Sequence, residues 1–283
     1  MTVGVVGLGL IGGSMARAYN AAGNTIYGAD TDNATLGYAL LSEIADKELN
    51  RENISECELL FIAIYPEAAA IYLQENAEYI SRDCVVIDLC GTKRKICEKG
   101  FSLSEKYGFT YVGGHPMAGT QFSGIKYSRK DLFRGAPMVI VPPRYDDIIL
   151  LDRIKTLLSP AGFGCISVTT AEKHDELIAF TSQLAHIVSN AYIKSETAQL
   201  HGGFSAGSYR DMTRVARLNA KMWTDLFREN SDFLIKEIDY IISSLSEYKQ
   251  ALENDDYNEL FSLLKEGSDI KEKIDGTSAQ KKG

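Results

Sequence analysis

Residues 113–124, Gly-Gly-His-Pro-Met-Ala-Gly-Thr-Gln-Phe-Ser-Gly, bring together one imidazole, two hydroxyls, an amide and four glycines just after an apolar run. Histidine is the one side chain whose ordinary titration lies near neutral pH, so His115 is a candidate proton acceptor for an alcohol undergoing oxidation. A loop histidine taken alone is more often a surface or capping residue. What it can do depends on the elements that place it and on what faces it.

The first of those elements stands at the start of the chain. An apolar strand at 3–6 runs into Gly7-Leu8-Gly9-Leu10-Ile11-Gly12, a helical pattern follows over 13–22, and a second strand at 25–29 ends at Asp30. In a dinucleotide-binding turn Gly7 permits the tight bend, Gly9 lets the backbone approach a pyrophosphate, and Gly12 lets helix and strand pack closely. The pyrophosphate would rest on the helix N-terminus. A bare GxGxxG is weak evidence, but here a strand precedes it, a helix follows it, and an acid arrives about 20 residues on. Asp30 would accept hydrogen bonds from the ribose hydroxyls and repel a 2′-phosphate, and Thr31, Asp32 and Asn33 bring no arginine, so the expected cofactor is NAD.

Further apolar runs at 59–64, 84–88, 110–112 and 138–141 alternate with helical stretches, and 165–168 reads as a last strand. Strands apolar along their whole length predict a parallel sheet covered on both faces, with ligands beyond its carboxyl edge. Tyr65-Pro66, Gly91-Thr92-Lys93 and the segment around His115 fall at that edge. Thr92 is equally suited to capping the helix that starts near Lys93 and to contacting a ligand.

After residue 168 the pattern becomes helical. Leu177, Phe180, Leu184, Ile187, Val188 and Ala191 recur at helical spacing, with Gln183 and His186 one turn apart on the same helix. Further helices are predicted over 208–217, 222–230, 233–253 and 257–273. Arg210 and Arg214, four residues apart, could point planar guanidinium forks at one carboxylate; a solvated helix face is the ordinary alternative. The expected organisation is a Rossmann-type α/β domain (1–168), an all-α domain (169–275) and a mobile tail (276–283).

A net charge of −8 and the lack of a long basic run argue against nucleic acid or an anionic membrane as partner and favour a small-molecule substrate. No signal peptide or membrane span is read, so a cytoplasmic location is expected. The five cysteines, Cys57, Cys84, Cys90, Cys97 and Cys165, form no CxxC pair and read as reduced core residues, with no metal site.

Five segments, GLGLIGGS at 7–14, DLCGTK at 88–93, GGHPMAGTQFSG at 113–124, TSQLAH at 181–186 and YRDMTRVA at 209–216, together resemble the prephenate/arogenate dehydrogenase family, in order and over nearly the whole chain. The third and fifth are the specific ones. The resemblance implies an NAD-dependent oxidative decarboxylation in tyrosine biosynthesis, giving 4-hydroxyphenylpyruvate from prephenate. It implies His115 as the base on the ring hydroxyl, Thr92 in the place of a serine beside it, and Arg214 as carboxylate anchor with Arg210 as a weaker candidate. Thr120, Gln121, Gln183 and His186 would line the substrate, and Gly7 to Gly12 (with Leu8, Leu10 and Ile11), Asp30, Tyr65 and Pro66 the cofactor. Two positions depart from the family: Gln183 replaces a histidine and cannot change charge, and Gln121 is neutral where some relatives carry an acid that could pair with the ammonium of arogenate. That neutrality tilts the reading toward prephenate over arogenate. A homodimer joined through the helical domain is also implied. Competing readings are a β-hydroxyacid or imine-type dehydrogenase and a nucleotide-sensing module without chemistry.

Overall fold

The computed structural model describes residues 1–120 and 122–280. The apolar runs form one eight-stranded sheet: β1 (Thr2–Val6), β2 (Thr25–Ala29), β3 (Lys47–Glu48), β4 (Leu59–Ile62), β5 (Val85–Asp88), β6 (Thr110–Pro116), β7 (Pro137–Val141) and β8 (Cys165–Val168), in the order β3-β2-β1-β4-β5-β6-β7-β8. Successive side chains alternate between two cores, as the pleat demands. Val3, Val5, Phe61 and Ile87 pack with Met15 and Tyr19 of α1 (Leu10–Ala21) and Ile154 and Leu158 of α5 (Ile148–Leu158) on one face. Val6, Leu60, Ile62 and Val86 pack with Leu73 of α3 (Pro66–Asn76) and Ile96 and Leu103 of α4 (Arg94–Tyr107) on the other. A short α2 (Asn33–Leu41) follows β2.

The sheet is not wholly parallel. β6 and β7 pair antiparallel, and β8 runs with β7. A parallel return needs a crossover, usually a helix, and between β6 and β7 the described residues form only a single 3₁₀ turn, Ile125–Tyr127. The antiparallel return has a direct effect on the site. β6 pairs with β5 only as far as Asp88↔Gly113, whereas its last residues pair with β7, including His115↔Val139. His115 therefore stands on a strand that overhangs the sheet edge, not in a loop as the glycines suggested.

The helices that follow β8 are α6 (Ala171–Ile178), a π-helical turn (Ala179–Leu184), α7 (Ala185–Tyr192), α8 (Gly207–Thr213) and α9 (Ala220–Glu229). With the sheet they form one compact unit reaching Asn230. Polar ties explain this: Asp175 in α6 accepts from the first amides of α4, and Glu229 in α9 accepts from Thr92. The second unit consists of α10 (Ser231–Glu253) and α11 (Tyr257–Gln280), joined by a turn in which Asp255 takes φ +52°. α11 continues to Gln280 through residues expected to begin a tail, since 277–280 hold no proline to stop it. Both helices expose large apolar side chains, among them Ile242, Leu245, Phe261 and Leu264. Four of the five cysteines are buried, and Cys165 is exposed.

Candidate active site

Beyond the carboxyl ends of adjacent parallel strands lie Gly7 to Gly12 after β1, Asp30 after β2, Tyr65 after β4, and Thr92 after β5. The strand order reverses between β1 and β4, which is where open α/β sheets place a ligand. The glycines have separable reasons. Gly7 has φ +84°, and a Cβ on Gly12 would sit 1.8 Å from Gly7 O. Around Gly9 a Cβ would meet nothing within 4 Å, so that position faces open space. The N-terminus of α1 has no side-chain cap and no acid in its first turn, leaving its amides and positive dipole end for an anion. Asp30 accepts from Leu8 N at 2.8 Å and from Asp32 N at 2.9 Å, which fixes the carboxylate at the end of β2. Leu8 thus serves the cradle through Asp30, with its side chain in the core, while Leu10 and Ile11 are partly exposed. Tyr65 is exposed and Pro66, buried, opens α3. These residues fit a dinucleotide.

His115 is held from behind by a buried polar network. The Lys93 ammonium is fully buried, pairs with Asp88 and donates to Gly114 O at 2.7 Å. Burial is the largest influence and pulls the ammonium down, but the charge and hydrogen bond of Asp88 together with the neighbouring Cys90 and Cys97 leave the group above its ordinary value. Asp88 also accepts from Tyr111 Oη at 2.6 Å and Cys90 N at 3.0 Å. Gly114 is required here, because a Cβ would lie 2.6 Å from Asp88 O. The Cys90 thiol is buried and pushed well above its ordinary value by burial and by Asp88, so it stays protonated and is no nucleophile.

The His115 ring places Nδ1 2.9 Å from His174 Nε2, and His174 Nδ1 lies 2.7 Å from Asp175 Oδ1. Asp175 also takes Lys93 N at 2.7 Å and Arg94 N at 3.0 Å, the amides that begin α4. Thr92 is therefore not the helix cap; its hydroxyl donates to Glu229 Oε2 at 2.6 Å and does not bond His115. No buried polar side-chain atom among the described residues lacks a partner, and His115 Nε2 has none, so this nitrogen lies open. Burial, then the neighbouring His174 and Lys93, drive His115 well below its ordinary value. An unprotonated imidazole facing outward can accept a proton.

The helical wall departs further from expectation. The π-helical turn sends Gln183 inward, where it is buried; its amide donates to Leu226 O at 3.2 Å and accepts from Asn230 Nδ2 at 2.8 Å. With one bond made from each end of its amide, Gln183 joins helices. Leu177 and Phe180, two of the apolar residues that recur at helical spacing, are exposed. His186 is half-buried, bonded through Nδ1 to Ser182 O at 2.7 Å, and its ring lies against Trp223 with centroids 4.0 Å apart. Burial lowers the titration of His186 and the Arg214 charge lowers it further, which puts Arg214 in the same neighbourhood. The Arg214 segment is tied to α7 by Ser189 Oγ to Met212 O at 2.6 Å and Asn190 Nδ2 to Ala216 O at 3.0 Å. Arg210 and Arg214 are exposed, and α8 ends before Arg214. Thr120 is exposed and its hydroxyl closes a local turn with Phe122. Gln121 lies outside the described residues.

Comparison with known families decides what this edge belongs to. A family described as "Prephenate dehydrogenase, nucleotide-binding domain" matches residues 15–166, and one described as "Prephenate dehydrogenase, dimerization domain" matches residues 170–266. The chain belongs to the prephenate dehydrogenase family. It is 29% identical over 295 residues to a prephenate dehydrogenase of Bacillus subtilis, covering 100% of this chain and 77% of the relative. Among solved structures it is similar to Synechocystis arogenate dehydrogenase (26% identity, TM-score 0.80, 97% and 100% of the two chains). It is equally similar to the Aquifex aeolicus prephenate dehydrogenase solved with hydroxyphenyl propionate and NAD+ (26% identity, TM-score 0.80, 97% and 98%).

Four residues of this prephenate dehydrogenase family member escaped sequence reasoning: His174, Asp175, Trp223 and Glu229. His174 and Asp175 are buried, yet they lie among the charged Glu172, Lys173 and Glu176 in α6, which reads as a solvated face. Trp223 and Glu229 lie on α9, whose register against the sheet edge no local pattern announces. Among the described residues no helix is long and apolar enough to cross a membrane.

Proposed function

We propose that this enzyme oxidatively decarboxylates prephenate to 4-hydroxyphenylpyruvate with NAD, and that His115 is the base. The observation that carries this reading is the open Nε2 of a neutral His115, held on the β6 overhang at the same sheet edge as the glycine cradle. The bound nicotinamide supplies the hydride acceptor. His115 Nε2 takes the proton of the ring hydroxyl as the C–H bond breaks, and loss of carbon dioxide follows because it yields an aromatic ring. With aromatisation as driving force, the protein's task is orientation plus one base. Arg214 pairs with a substrate carboxylate, with Arg210 as a second cation, and the tilted His186–Trp223 ring pair offers an aromatic wall to the ring. Asp30 and the absence of a cation at Thr31, Asp32 and Asn33 support NAD over NADP. The exposed apolar faces of α10 and α11, in a segment matched by a dimerization domain, support a homodimer.

One observation favours arogenate as the alternative substrate. Glu229, bonded to Thr92, is an acid at the sheet edge able to meet an ammonium. NADH formation measured with prephenate and arogenate in parallel separates the two. Turnover with neither, in protein that binds NAD, defeats the reading; turnover of His115→Asn within tenfold of wild type defeats the assignment of the base.

A further inference from the structure

We propose that His174 and Asp175 are positioning residues that set the tautomer of His115, holding its proton on Nδ1 and leaving Nε2 as the lone-pair acceptor. The inference rests on the reading of His115 as the base, and it follows from donor and acceptor inventory. An ionised carboxylate only accepts, so the 2.7 Å contact to Asp175 Oδ1 places the hydrogen of a neutral His174 on Nδ1. Its Nε2 then carries a lone pair. The 2.9 Å contact between that nitrogen and His115 Nδ1 requires a hydrogen, which comes from His115. The proton of neutral His115 is thereby committed to Nδ1, the form less populated in free histidine.

Burial opposes ionisation of Asp175, but the bond from His174 and the Arg94 and Lys93 amides outweigh it and hold the carboxyl below its ordinary value. Those amides begin α4, where a negative charge is favoured by the helix dipole. His174 is pulled down by burial and only partly restored by Asp175, so it stays neutral. The charged groups facing the pair are Lys93, whose ammonium is paired with Asp88, and Arg94, whose Nε lies 3.3 Å from Asp175 Oδ2 and 3.9 Å from Glu172 Oε2. Lys93 disfavours an imidazolium at either ring. Asn230 Nδ2 donates to Asp175 O at 2.8 Å and fixes the α6 backbone from the other side.

Asp175→Asn is expected to reverse the chain. An NH₂ in place of Oδ2 would confront two donors, the Arg94 amide and Nε, whereas in place of Oδ1 it confronts only the Lys93 amide and can donate to a His174 ring that has turned its lone pair to Nδ1. His174 would then donate to His115, moving the His115 proton to Nε2 and removing the base. The expected effect is a fall in kcat of roughly 10²–10⁴-fold, as when a catalytic imidazole is left in the wrong tautomer, with KM for the cyclohexadienyl substrate within about threefold. At His174, Gln keeps an acceptor for His115 Nδ1 and should retain most of the rate that Phe loses.

The deciding measurement is independent of turnover. The chain has four histidines, so ¹⁵N-imidazole NMR with His115→Asn as the assignment control can identify the protonated nitrogen of His115 in the wild-type protein. Nδ1–H in wild type and Nε2–H in Asp175→Asn and His174→Phe is the expected pattern. Nε2–H in wild type, or an unchanged tautomer with unchanged kcat in a folded His174→Phe, overturns the proposal even if His115 is the base. Failure of the base assignment shows separately, as retained turnover in His115→Asn. Should the variants not fold, the wild-type spectrum still decides.

Discussion

Replacing Lys93 with Met should destabilise the sheet edge that carries His115. Lys93 and Asp88 are both 0% exposed, and the ammonium holds the Asp88 carboxylate and Gly114 O together. Met fills much of the same volume but leaves Asp88 with the neutral donors Tyr111 Oη, Cys90 N and Gly114 N, and leaves Gly114 O without the Lys93 bond. Removing one partner of a buried ion pair costs about 3–5 kcal/mol, because the remaining charge is uncompensated. For a unit reaching Asn230, at about 2–4 °C per kcal/mol, this is a fall in Tm of about 6–20 °C. Calorimetry on the wild type and variant reads it directly. The double variant Lys93→Met/Asp88→Asn should be less damaged than the sum of the single variants, with a coupling of about 0.5–3 kcal/mol. Because Gly114 adjoins His115, kcat should fall in the single variant below its melting range. A Tm within about 2 °C of wild type, or strictly additive single variants, refutes the claim that this pair holds the edge.

The glycine cradle allows a contrast. Gly12→Ala, which would set a Cβ 1.8 Å from Gly7 O, should lower Tm, whereas Gly9→Ala, with open space around it, should leave Tm within about 1 °C and raise the KM for NAD at least tenfold. Equal thermal loss in both would contradict the separate roles. His115, His174 and His186 all titrate below the ordinary value in the native state. Between about pH 7 and pH 5 the unfolded chain therefore binds more protons, and stability should fall as the solution is acidified from near 6.5. Denaturant midpoints that rise on acidification over that range would be the opposite sign. For the same reason the acid limb of kcat/KM should have its midpoint below about 6.5; one at 7 or above argues against His115 as the base. Trp223→Ala should raise KM for the ring-bearing substrate at least fivefold while KM for NAD is unchanged, since Trp223 packs its ring against His186, on the wall assigned to the substrate. Parallel changes in both constants would place Trp223 outside the substrate wall.

What the sequence determined by itself were the features carried by local physics. Strand runs, the glycine turn before α1 and Asp30 at the end of β2 follow from periodicity and short-range sterics, and they place the cofactor edge. His115 stands out because its residue type is rare and its segment unusual; the chain contains four histidines. The tertiary structure decided what depends on distant partners. The antiparallel return of β7 made the His115 segment a strand, a matter of pairing between residues well separated in sequence. The π-helical turn buried Gln183, and the packing of α9 turned the Thr92 hydroxyl to Glu229. His174 and Asp175 look like part of a solvated helix face until α6 is docked against the start of α4, where unsatisfied amides require a carboxylate. Periodicity reports which side of an element is apolar; it does not say which buried polar group will meet which, and the environment of His115 is made of those meetings.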